Sequence, residues 1–86
     1  MPRKQKILSY TVVFEPAEEG GYCVHVPALP GCFTQGETLE EAREMAKEAI
    51  QGHIEALAMV GEPIPEEIEE PAVPHTEKID VHVRVA

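Results

Sequence analysis

Asparagine is missing from this chain of 86 residues, serine occurs once, and cysteine only twice. Two cysteines are too few for the disulfide framework of a small secreted domain, so Cys23 and Cys32 are expected as reduced thiols. No apolar run approaches the roughly 20 residues that cross a bilayer, which excludes a spanning helix. The opening MPRKQK is basic, but only a strand-length apolar run follows it and no small-residue cleavage site. It does not read as a signal peptide, and a cytoplasmic setting is expected. The single serine, Ser9, lies mid-strand without the sharp turn a nucleophilic serine needs. Missing asparagine with abundant glutamate is a thermophile-like composition.

Basic residues are also scarce, seven against sixteen acids, giving a formal net charge of −9. Their placement matters more than their number. Arg3, Lys4 and Lys6 stand at one end, and Lys78 and Arg84 near the other. Between Glu15 and Glu77 the acids are opposed only by Arg43 and Lys47. A body this negative repels phosphate and attracts a basic partner. A chain this short buries only about 60% of the surface its unfolded form exposes, so a partner or self-association is expected to complete its stability.

The pattern along the chain predicts an α+β fold in the order β-β-β-α-β, one domain over residues 1–86. ILSYTVVF (7–14) alternates as a strand, with Leu8, Tyr10, Val12 and Phe14 on one face and Ile7, Ser9, Thr11 and Val13 on the other. EPAEEGG supplies a turn, with Gly20 and Gly21 adjacent, and YCVHV (22–26) is the second strand. PALPG, carrying Pro27 and Gly31, breaks regular structure. A short strand at 32–35 ends at Gly36. Thr38 and Glu41 form a capping box. Leu39, Ala42, Ala46, Ala49, Ile50, His53, Leu57 and Val60 then recur at helical spacing up to a Gly61 cap, a helix ~34 Å long. Within it, Gly52 is expected to mark close approach of another backbone, and His53 to be a satisfied core histidine. Residues 61–77, with four prolines and six glutamates, read as an acidic connector, and 79–85 as the last strand. There Ile79, Val81, Val83 and Val85 share a face. The long amphipathic helix is expected on one face of the small sheet. The half-apolar second face, with Ile7, Thr11, Val13, Cys23 and His25, is expected open and to form an oligomer interface.

Candidate chemistry is thin. Cys23, His25, Cys32, His53, His75 and His82 show no zinc-type spacing, so no metal is expected. Neither cysteine has the electropositive setting that activates a thiol. Paired glutamates such as Glu66–Glu67 and Glu69–Glu70 sit where charge is normally solvated, and of the acids only Asp80 lies clearly on a strand. No glycine loop cradles a phosphate, and no cofactor is expected.

The segment VVFEPAEEGGYCVHVPALPGCFTQGETLEEAREMAKEAI resembles the HicB-like antitoxins. The EEGGY turn, the PALPGC loop, the TQGET approach to the helix, the alanine-rich helix and GEPIP after it occur in fixed order. The resemblance implies a partial ribonuclease-H-like fold and a non-enzymatic role. The partner it implies is a small basic HicA-like toxin that cleaves mRNA through a histidine, with the antitoxin occluding its active site. Contact with that partner is expected from Glu15, Glu18, Glu19, Tyr22, Leu29 and Pro30. Many members of the family append a DNA-binding segment. Here the sequence stops at Ala86 directly after the last strand, and MPRKQK is too short for base readout, so no direct sequence-specific nucleic-acid binding is expected. The other reading is a solitary regulatory or scaffolding module that binds protein without a toxin.

Overall fold

A computed structural model of the chain describes residues 4–67 and 76–85. Four strands and one helix follow the expected order: β1 (Lys4–Pro16), β2 (Tyr22–His25), β3 (Phe33–Gly36), α1 (Leu39–Met59) and β4 (Thr76–Val85). The strands form one antiparallel sheet ordered β3-β2-β1-β4, so the longest strand is central and the hairpin β2–β3 flanks it on one side. β4 starts three residues earlier than the pattern indicated, at Thr76, because Thr76 to Lys78 pair with Val13 to Thr11 of β1. Residues 68–75, including Glu69, Glu70 and His75, lie outside the described part of the chain, as do the side chains of Val83, Arg84 and Val85.

The helix begins as its sequence dictates. The Thr38 side chain accepts the Glu41 N–H at 3.0 Å. The Glu41 carboxylate does not return to the Thr38 N–H as a standard capping box would. It takes the Glu37 N–H instead, at 2.8 Å, closing the turn one residue further out. At the other end Gly61 adopts φ 75°, and the N–H groups of Gly61 and Glu62 reach the carbonyls of Ala58 (3.2 Å) and Leu57 (2.9 Å). This double bond pattern is a Schellman cap, which a glycine at that position accommodates without strain.

The buried stripe of α1 is Ala42, Ala46, Ile50 and Ile54, at a strict spacing of four. Small alanines in the first half let the helix sit close to the sheet, and isoleucines fill the wider second half. They pack on Tyr10, Val12, Phe14, Val24 and Val81, the face of β1, β2 and β4 anticipated from alternation. Three expectations for the helix need correction. Val60 is exposed, because it is the cap residue beyond the last turn. His53 is half-buried, and the core position below it belongs to Ile54. Gly52 has open space where a Cβ would stand, so it marks no close backbone approach. The Arg43 guanidinium, on the other flank, holds the Glu77 carboxylate of β4 with two bonds of 2.7 and 2.8 Å and ties the helix to the far edge of the sheet.

The described part of the acidic connector is docked along β1. Ile64 packs against the core, and the Tyr10 hydroxyl donates to the Pro65 carbonyl at 2.7 Å. The Glu67 carboxylate accepts the Thr11 N–H (2.9 Å) and the Thr11 hydroxyl (2.7 Å), and lies 2.9 Å from Lys78 Nζ. Thr11 is paired with Lys78 of β4 but lies just past the last β1–β2 rung at Val13, so its N–H finds no strand on the β2 side, and the carboxylate replaces one.

Burial pushes the Glu67 carboxyl up, but the Thr11 N–H, Lys78 and the Thr11 hydroxyl outweigh it and hold it below the ordinary carboxylate value of 4.5. A folded value below the unfolded one contributes stability that is complete above the unfolded value. That contribution is lost as pH falls through the folded value. Thermal melts of the parent and of Glu67→Gln between pH 7 and pH 3 are expected to differ most at neutral pH and to converge on acidification. A gap that stayed constant to pH 3 would remove the charged latch from the account.

Candidate functional site: an acidic cleft at the β1–β2 turn

Residues 17–21 reverse the chain between β1 and β2, with the Ala17 N–H bonded to the Gly21 carbonyl and the Gly20 N–H to the Ala17 carbonyl, both at 3.0 Å. Gly21 opens into β2 directly against the end of β3. A Cβ there would lie 2.7 Å from the Gly36 carbonyl oxygen, and a Cβ on Gly36 only 2.5 Å from the Ala42 backbone nitrogen. Two glycines thus let turn, strand end and helix start stack backbone on backbone. The stack brings four carboxylates from three places in the sequence around one cleft of about 520 Å³: Glu18 and Glu19 from the turn, Glu37 from the strand end, and Glu41 from the first helical turn. Tyr22, Cys23, Gln35 and Met45 complete its walls.

Of the residues expected to meet a partner, Glu18, Glu19 and Tyr22 line this cleft. Glu15 flanks it on the sheet face away from the helix, opposite Cys23 in register and 3.8 Å from His25 Nδ1, with most of its carboxylate in solvent. Leu29 and Pro30 are not brought there. The PALPG loop, with Pro27 and Gly31, connects β2 to β3 at the opposite end of that hairpin. Its turn is closed by the Leu29 N–H to Val26 carbonyl and Cys32 N–H to Leu29 carbonyl bonds. Leu29 is fully buried in the core and is unavailable for contact, while Pro30 is exposed. Glu37, Gln35 and Met45 were missed. Their signal lay in the β2–β3 pairing, which places Gly36 opposite Tyr22.

The second sheet face is less open than its alternation implied. Ile7 is 58% exposed and Cys23 is exposed, but Thr11 (6%) and Val13 (1%) are buried within the chain itself. Thr11 is covered by the Glu67 latch. His25 is half-buried, with the Phe33 ring centred 6.4 Å from its own. The continuous interface stripe is therefore reduced to separated residues.

Among the described residues, metal-binding and nucleophilic groups do not gather, and no three of histidine, cysteine, aspartate and glutamate are placed to hold a metal. Cys32 is buried and desolvation pushes its thiol up, which disfavours the reactive thiolate. Asp80 accepts a hydrogen bond from the Ser9 hydroxyl. No helix among the described residues is long and apolar enough to cross a membrane.

Residues 10–83 match the family model described as the HicB-like antitoxin of bacterial toxin-antitoxin systems. The chain belongs to the HicB-like antitoxin family. It is 48% identical over 75 residues to a UPF0150 protein of Thermoplasma acidophilum, covering 87% of this chain and 99% of that one. Among solved structures it resembles the N-terminal domain of the Burkholderia pseudomallei antitoxin HicB, with a TM-score of 0.70 and 26% identity over 91% of this chain and all of the other. It also resembles a chain of a HicA3 and HicB3 toxin-antitoxin complex, with a TM-score of 0.62 and 33% identity over 74% and 73% of the two chains. The HicB-like fold is thus a four-stranded antiparallel sheet carrying one long helix, as the element order had indicated. An antitoxin of a toxin-antitoxin system is the function this membership supports.

Proposed function

We propose that this HicB-like chain neutralises a small basic HicA-type toxin by occluding its RNA-binding and catalytic surface, acting in the cytoplasm as a homo-oligomer without chemistry of its own. The acidic cleft carries the reading. Four carboxylates converge where the turn, the end of β3 and the start of α1 meet, and few bases lie near them in sequence. A toxin that holds mRNA through cationic side chains finds in that cleft an alternative to phosphate, and opposite fields speed the encounter. The HicA3 and HicB3 complex supports a partner of this class, since a chain of that toxin-antitoxin complex shares the fold.

The direct test expresses the chain together with the reading frames flanking its gene and asks what co-purifies. A short basic protein that arrests growth alone and is silenced by this chain is the expected result. A flanking toxin-like protein that shows no binding at micromolar concentration would sink the proposal and leave the solitary protein-binding module in its place.

A further inference from the structure

The sheet ends at β3, and no strand lies beyond it among the described residues. Two backbone hydrogen bonds determine which of its backbone groups are free. The Val26 N–H donates to the Cys32 carbonyl at 3.3 Å, extending the β2–β3 ladder by one rung. Bonded pairs alternate in an antiparallel ladder, so Val24 with Thr34 and Tyr22 with Gly36 are the bonded pairs, and Phe33 and Gln35 turn their N–H and C=O groups outward. The bond from the Ala17 N–H to the Gly21 carbonyl gives the same phase from the other side. It assigns Cys23 and His25 to β1, leaving none of their backbone groups for β3.

Apart from its four-residue length, this edge lacks the usual protection. Natural edge strands are blunted by lysine, proline or bulges, and FTQG has none of these. Phe33 is 72% exposed beside His25, an aromatic side chain held in water at the edge itself. Gln35 and Gly36 also line the acidic cleft, so the open edge and the carboxylates form one continuous surface.

We infer that the free edge of β3 accepts an extended, basic segment of the toxin as an added strand; this rests on the toxin-binding reading above. Main-chain bonds to Phe33 and Gln35 supply register, and alternate side chains of the incoming strand meet Phe33 on one face and carboxylates at the cleft. The charge decides the occupant. A second copy pairing through the same edge would bring two strongly net-negative chains together, and a nucleic acid would be repelled by the same acidic surface. A cationic strand is attracted by it.

The test uses the complex of the chain with its co-purified toxin. Gln35→Pro removes one outward N–H and leaves the β2–β3 bonds intact, a substitution an edge strand tolerates. It is expected to weaken toxin binding about tenfold, the scale of one lost hydrogen bond. Phe33→Ala is expected to weaken it at least as much. Hydrogen exchange on the unmodified chain gives a readout independent of any variant: the Phe33 and Gln35 amides should become protected when toxin binds. If toxin binds but these amides still exchange freely, the edge inference is overturned while the antitoxin reading stands. Protection that rises with the concentration of the chain alone would assign the edge to a second copy instead. If no toxin binds at all, the proposed function itself fails.

Discussion

Gly36→Ala is expected to destabilise the chain by about 3 kcal/mol, the upper end of the usual cost of overpacking. The added methyl would stand 2.5 Å from the Ala42 nitrogen and 2.7 Å from its Cα, both backbone atoms of α1 that have no rotamer to relieve the contact. Relief requires the helix start to lift from β3. That movement would uncover Ala42 and disturb the turn that Thr38 and Glu41 close. In a domain of this size about 3 kcal/mol corresponds to a fall in Tm of roughly 12–24 °C. Circular dichroism melts would measure it, and a Tm within a few degrees of the parent would show that the close stack is not required. Gly52→Ala makes the matching control, since a Cβ there meets nothing.

The second large effect is on association. Reversing Glu18, Glu19 and Glu37 to lysine leaves the core untouched, because all three are exposed and Glu41, which holds the helix start, is spared. The association rate with a basic toxin is expected to fall about a hundredfold at low salt, within the range that electrostatic steering supplies. The deficit should shrink in 1 M salt, where screening acts over about 3 Å. Stopped-flow mixing across a salt series measures both. A triple variant that associated at the parent rate would place the landing surface elsewhere, with Ile7 and the separated residues of the second sheet face as the next region to probe.

Binding weaker than expected at the rim but normal in rate would point to the edge strand as the main anchor. The two contributions differ in kind. Carboxylates around a cleft act over several ångströms before contact and so govern encounter, whereas main-chain bonds at Phe33 and Gln35 form only after docking and govern release.

Much of this architecture was legible in the chain. Period-two alternation put Tyr10, Val12, Phe14, Val24 and Val81 on one face, because successive side chains of a strand point to opposite sides of its sheet. Thr38 and Gly61 bracketed the helix because the unpaired backbone groups at helix ends need a side-chain acceptor at one end and a left-handed residue at the other. The punctuation from EEGGY to GEPIP marked the family, since those residues serve backbone conformations that few alternatives fit.

Tertiary structure alone decided the rest. Alternation assigned Thr11 and Val13 to an open face. Alternation records only which side a residue points to, and Glu67, far along the chain, buries Thr11 by bonding to it. Leu29 looked like part of an exposed loop, yet the turn around it folds that side chain into the core. The acidic cleft was invisible as a cleft. Its carboxylates were individually conspicuous in the sequence, but only backbone contact at Gly21 and Gly36 brings turn, strand and helix start together. Composition determined that this small protein would be acidic. Long-range packing determined where the acid converges and which strands stand at the sheet edges among the described residues, because neither depends on neighbours in sequence.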